Sequence, residues 1–217
     1  MGIVNITPDS FSDGGIYFDH SDAVAHSEQL INDGADIIDI GGESSRPGAT
    51  PVTEKEELRR IIPVIRDLRD SNSKILISVD TTKSTVASMA LKAGADIVND
   101  ISGLSFDTKM IKVVKKYEAP VVIMHMKGNP QNMQLSPNYD NIIQEISLFF
   151  DKKIKLLIKK GISKENIIID PGIGFGKTIK NNFELINRLN DFNVFDLPIM
   201  IGTSNKSFIG SSLNLPV

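Results

Sequence analysis

Seven short apolar runs, rich in β-branched residues and each closed by a polar or glycine-containing turn, recur along the chain. They are Gly2 to Ile6, Asp36 to Ile40, Lys74 to Val79, Asp96 to Asp100, Pro120 to Met124, Asn166 to Asp170 and Pro198 to Gly202. Runs of this kind predict strands covered on both faces, the condition of a parallel sheet flanked by helices. The segments between them carry helix punctuation. Thr53 followed by Glu56 predicts a capping box, Ser21-Asp22 opens another helix, and Gly34, Gly94 and Gly161 stand where a terminal glycine ends one. Gly34-Ala35-Asp36-Ile37-Ile38 returns as Gly94-Ala95-Asp96-Ile97-Val98, so one helix stop and strand start is written twice.

A repeated strand–helix unit fits either an open doubly wound sheet or a (β/α)8 barrel lacking its eighth strand. The placement of polar residues decides between them. A doubly wound sheet gathers ligand groups at one switch point, whereas a barrel offers a residue from the C-terminal end of each strand. Here Asn5, Glu43, Asp80, Asn99 with Asp100, His125, Asp170, and Ser204 with Lys206 all fall at or just after a run. This polar crown favours the barrel, in one domain spanning residues 1–217.

Composition narrows the chemistry. The 24 basic and 27 acidic residues give a formal charge of -3, so the chain lacks the basic footprint of nucleic-acid binding. With no cysteine, thiolate zinc sites, disulfides and cysteine nucleophiles are excluded, leaving oxygen and nitrogen chemistry. No apolar stretch approaches the roughly 20 residues that cross a bilayer. The first residues show no secretory pattern, so a cytoplasmic protein is expected.

Asp80 and Asp170 end apolar runs, where an ionised carboxylate is costly without a partner. Each suits a helix N-cap, or, with Asn99 beside it, a flat heterocycle presenting N–H donors. Lys206 precedes a helix start at Ser207, and is either a solvated lysine or part of an anion seat using the free N–H groups there. The loops Thr7 to Gly15 and Ser44 to Gly48 carry Phe11, Ser12, Arg46 and Pro47, residues suited to covering a barrel mouth. Asp170-Pro171-Gly172-Ile173-Gly174-Phe175-Gly176-Lys177-Thr178 imitates a phosphate loop, but Pro171 occupies the glycine position that a Walker A loop requires. His125 reads as a packed or backbone-bonded histidine, and His20 and His26 as helix-surface residues. Asn5 suits a hard cation such as Mg²⁺, which needs only one or two protein oxygens beside a phosphate.

The stretches M-G-I-V-N-I-T-P-D-S-F-S-D-G-G, G-G-E-S-S-R-P-G-A, I-S-V-D-T-T-K, I-V-N-D-I-S-G, M-H-M-K-G-N-P, D-P-G-I-G-F-G-K and S-N-K-S-F-I-G resemble, in order and spacing, the dihydropteroate synthase family, from residue 1 to about 215. The resemblance implies a transferase of folate biosynthesis that joins 6-hydroxymethyl-7,8-dihydropterin pyrophosphate to p-aminobenzoate by dissociative loss of pyrophosphate. It assigns pterin contacts to Asp80, Asn99, Asp170 and Lys206, with Met124, Gly174 and Phe175 shaping the slot. Asp80, Asp170 and Lys206 are the residues closest to catalysis in this assignment. Asn5 would hold Mg²⁺ and Ser45 would reach the phosphates. Phe11, Ser12, Arg46 and Pro47 would wall the p-aminobenzoate pocket, while Ser207 and its helix N–H groups receive the carboxylate. A homodimer, sensitivity to sulfonamides and a possible fusion to the preceding pyrophosphokinase are implied as well. The alternatives are the related pterin barrel of methyltetrahydrofolate methyltransferases and a binding-only barrel.

Two departures from the family pattern stand out. Asn205 occupies a position where the family carries Arg, removing one cation. The family's eighth strand, with an Arg and a His for pyrophosphate, does not occur in residues 1–217. From this the 217 residues alone are expected to be poorly stable and essentially inactive, with seven curved strands and open edges at Gly2–Ile6 and Pro198–Gly202.

Overall fold

The computed structural model describes residues 1–7, 20–44, 49–130, 132–133 and 137–214. Six strands form: β1 (Gly2–Asn5), β2 (Ile37–Gly41), β3 (Leu76–Asp80), β4 (Ile97–Asp100), β5 (Val121–Met124) and β6 (Ile167–Asp170). Their hydrogen-bonded order follows the sequence, β1-β2-β3-β4-β5-β6. Between them lie α1 (His20–Asn32), α2 (Glu54–Ser71), α3 (Ser84–Ala93), α4 (Met110–Tyr117), α5 (Ile142–Lys159) and α6 (Ile179–Asn187), and α7 (Ser207–Leu213) follows. Each observed strand lies within two residues of an expected run. The seventh run departs from expectation, because Pro198–Gly202 yields only a bridge from Ile199 to Ile169, with Ile169 N–H donating to Pro198 O and Met200 N–H to Ile169 O. Its residues stay half-buried or exposed, so little apolar burial reinforces those few bonds.

The chain divides into two compact units. The first comprises Met1–Ser45, Thr50–Asp100 and Leu104–Val121; the second comprises Arg46–Ala49, Ile101–Gly103 and Val122–Val217. In the first unit the parallel register aligns whole rows of residues. Val4, Ile40, Val79 and Val98 are neighbours across β1 to β4, and all four are fully buried. One residue further along, Asn5, Gly41, Asp80 and Asn99 form the next row, at the C-terminal ends. Successive side chains of a strand point to opposite faces, so the apolar row and the polar row turn away from each other. The same alternation puts Ile3, Asp39, Ser78 and Ile97, the row on the other side of the apolar one, on the face of the polar row.

Helix ends follow the sequence with one correction. Thr53 Oγ1 accepts from Glu56 N–H at 3.2 Å, but the Glu56 carboxylate turns to Arg59 and Arg60 at 2.8 Å, so only half of the expected capping box forms. Two guanidinium partners outweigh one backbone amide for an ionised carboxylate. A full capping box occurs instead at Thr178 and Asn181, opening α6. The repeated Gly-Ala-Asp segment also acts locally: Gly94 ends α3 at φ 120°, and Asp96 accepts from Ile77 N–H at 2.8 Å and Arg69 at 2.5 Å.

The second unit holds its own core, in which Phe150 meets Phe192 edge-on at 5.8 Å and 89°. Phe150, Phe192 and Ile123 are among its fully buried side chains.

Candidate active site

The polar row of the first unit is the start of the site. A Cβ placed on Gly41 would stand 3.4 Å from Asn5 Oδ1 and 3.5 Å from Asp80 Oδ2, so the glycine lets an amide oxygen and a carboxylate share one small space. Asp80 does not cap a helix. The first amide of α3, Ser84 N–H, is taken by Asp107 Oδ2 at 2.9 Å. Asp80's carboxyl is pushed well above the ordinary range, first by desolvation and then by Asp39, Glu57, Asp100 and Glu43. A site with so much negative charge welcomes a ligand edge that donates protons or carries positive charge.

Two supports of this row escape a reading of the sequence. Asn99 Nδ2 donates to buried Asp39 Oδ2 at 3.0 Å, which orients the amide from the row on the same face. Lys83 donates to Glu43 and, at 2.5 Å, to Glu57, whose exposure is only 1%. The signal for Asp39 was a carboxylate in the middle of the apolar stretch Ile37-Ile38-Asp39-Ile40, where charge rarely sits unless paired.

The second unit carries another polar group set. Asp170 ends β6, is 5% exposed, and accepts from Gly172 N–H at 2.7 Å, so it closes a turn rather than a helix. Burial raises its pKa to about 6 against the opposing pull of the Gly172 amide, Lys177 and Lys206. Lys206 Nζ lies 4.4 Å from the centre of the Phe175 ring, and its chain runs past Gly174, where an added Cβ would meet Lys206 Cδ at 3.1 Å. Met124 is buried, and its Cγ would stand 3.2 Å from a Cβ on Gly172. Thus Met124, Asp170, Gly174, Phe175 and Lys206 are brought together as expected. Ser207 opens α7 and is exposed, and Asn205 before it takes a left-handed φ of 51°, a conformation asparagine tolerates better than arginine. Phe11, Ser12, Ser45, Arg46 and Pro47 lie outside the described residues.

His125 is packed, as its sequence context suggested. Its ring meets Phe149 edge-on at 5.1 Å, its Nδ1 is 3.2 Å from Lys177 Nζ, and its pKa falls to about 3, mainly through burial and then through Lys177 and Lys127. Between about pH 3 and 6.5 the unfolded chain therefore binds more protons than the folded one, so this contribution to stability is present above 6.5 and lost as pH falls. Asp170 acts oppositely: its folded value of about 6 exceeds the ordinary carboxylate value of 3.8, so protonation there favours the folded state as pH falls through 6. His125→Phe is expected to weaken the acid sensitivity measured from urea midpoints at about pH 4.5 and pH 7. An unaltered difference between the two pH values would mean that His125 is not held neutral.

Among the described residues no helix is long and apolar enough to cross a membrane. The chain matches the family described as pterin binding enzyme over residues 1–216. A dihydropteroate synthase of Synechocystis is 47% identical over 216 residues, covering 100% of this chain and 74% of that protein. The chain belongs to the dihydropteroate synthase family. Its fold agrees with a sulfonamide complex of the Yersinia pestis enzyme at a TM-score of 0.94 and 43% identity, over 99% of this chain and 78% of that one. The Xanthomonas albilineans enzyme with 4-aminobenzoic acid gives a TM-score of 0.92 and 42% identity, over 100% and 76% of the two chains. The fold class is the (β/α)8 barrel of these enzymes, which are transferases of folate synthesis.

Proposed function

We propose that Asp80, Asn99, Asp170 and Lys206 hold the pterin while the chain carries out the dihydropteroate synthase reaction. In that reaction the amine of p-aminobenzoate takes the place of pyrophosphate on the pterin methylene, giving 7,8-dihydropteroate. The carrying observation is chemical: buried Asp170 and negatively surrounded Asp80 suit a heterocycle that offers N–H donors. As the C–O bond to pyrophosphate breaks, positive charge develops on the pterin, and the carboxylates at Asp80 favour that charge more than they favour the neutral substrate. Lys206, seated on Phe175, is the donor proposed for the pterin's acceptor edge. The amine itself attacks the methylene carbon and then gives its extra proton to the released pyrophosphate or to solvent water, so no residue need act as a nucleophile. Phe11, Ser12, Arg46 and Pro47 are proposed to wall the p-aminobenzoate site and Ser207 to receive its carboxylate; 4-aminobenzoic acid is the molecule bound in the Xanthomonas albilineans enzyme.

The donors present fit a hard divalent cation. Asn5 offers an exposed amide oxygen beside the Asp80 carboxylate. Among the described residues no group of three or more His, Cys, Asp or Glu side chains is placed to hold a metal by itself, so substrate phosphate oxygens would complete the shell. Asn5 would hold Mg²⁺, with Ser45 near the phosphates; the ion would supply charge neutralisation for the departing pyrophosphate. Calorimetric titration is expected to show that chelating Mg²⁺ weakens pterin pyrophosphate binding at least tenfold and leaves the bare pterin unchanged. Equal loss for both ligands would move the metal away from the phosphates. A homodimer, a cytoplasmic location and a fusion to the pyrophosphokinase in a longer parent chain belong to the same proposal; the sedimentation mass checks the first.

A further inference from the structure

We infer that Lys177 is a positioning residue that latches the glycine loop 172–176 onto the end of β5 and thereby seats Phe175 for the pterin. The Gly-Lys-Thr that imitates a phosphate loop is thus given a different task. Lys177 Nζ donates to Phe175 O at 2.9 Å and His125 O at 3.1 Å, and lies 3.2 Å from His125 Nδ1, so its directions are all spent on acceptors inside the protein. Its exposure is 3%. An ammonium pointing at a bound phosphate would leave those acceptors; this one ties two backbone segments together instead.

The loop it fastens has no room to do otherwise. A Cβ on Gly172 would lie 2.1 Å from His125 O, and one on Gly176 would lie 2.5 Å from Lys127 O, so the loop backbone is pressed flat on residues 125–127. Phe175 N–H closes on Gly172 O at 3.0 Å and Gly174 N–H on Asn182 Oδ1 at 2.8 Å. One bond of the lysine goes to the carbonyl of Phe175 itself, whose ring carries Lys206. Burial lowers the Lys177 pKa to about 7, and the neutral amine still keeps donors for both carbonyls.

This role rests on the pterin assignment given above, and the test separates the two. Lys177→Met, similar in length and apolar, removes the donors, and bare-pterin binding is titrated beside Asp170→Asn and Phe175→Ala. Lys177→Met is expected to weaken pterin binding about tenfold or more, while adding little in the Phe175→Ala background because both act through one ring. Hydrogen exchange at Gly174 and Phe175 is expected to quicken in Lys177→Met while the amides of β1 to β4 keep their protection. Full additivity of the two variants, unchanged pterin affinity or unchanged loop exchange in Lys177→Met would overturn the latch. If Asp170→Asn also binds normally, the pterin assignment fails instead. Should Lys177→Met not fold, exchange in the unaltered protein decides: Gly174 and Phe175 amides are expected to be protected without ligand, and unprotected rates there would refute the latch.

Discussion

Gly172→Ala is expected to lower stability by about 3–5 kcal/mol, near the upper end for a single substitution. Two causes act at one atom. The backbone at 172 sits at φ 71°, which costs an L side chain roughly 1–2 kcal/mol. The new Cβ would also stand 2.1 Å from His125 O and 3.1 Å from its carbonyl carbon, and both are backbone atoms that cannot rotate away. Relief requires parting the loop from the end of β5, which pulls on the Lys177 bond to His125 O that joins the two segments. Gly34→Ala provides the comparison: φ is 98° there and nothing lies within 4 Å of the added atom. Only the conformational cost of about 1–2 kcal/mol is expected. Urea denaturation of both variants measures the difference, and similar midpoints would show that the loop yields easily.

Asp170→Asn is expected to weaken pterin binding by about 2–4 kcal/mol, the range for losing a charge-assisted pair in a buried site. That is roughly 30- to 1000-fold in dissociation constant. The substitution is nearly isosteric, and the amide oxygen can still accept from Gly172 N–H, as Asp170 Oδ1 does at 2.7 Å. What changes is the other carboxylate oxygen, which becomes a donor facing ligand donors. Folding is not expected to suffer, because burial already raises the acid's pKa to about 6 and disfavours its charge. Calorimetry therefore reads recognition apart from stability, and an unchanged affinity would remove Asp170 from the site. Asp80→Asn is expected to act on turnover more than on binding, in line with a carboxylate that meets charge developing during the reaction.

The strands and the rim were legible because their causes are local. β-branched runs, glycine stops and polar residues at run ends need only neighbours in sequence, and the register then aligns Asn5, Gly41, Asp80 and Asn99. The seventh run was legible as apolar but not as a strand, since pairing depends on what lies beside it, and Ile199 has only its bridge to Ile169. Glu56 shows the same limit on a smaller scale. Its spacing from Thr53 fits a capping box, yet the competing guanidinium groups of Arg59 and Arg60 are settled by side-chain geometry.

Charged residues mark the boundary most clearly. By itself the sequence determined the barrel class, the family and the identity of the rim carboxylates, because motif order and strand ends are properties of the chain. It did not reveal that Asp39 holds Asn99, that Glu57 is buried against Lys83, or that Lys177 spends its amine on two carbonyls. Each of these contacts joins residues that local spacing does not relate, or turns a residue inward that composition would place in water. Only the tertiary structure decided them, because the worth of a buried charge depends on which acceptors the fold brings within about 3 Å and how much water it removes.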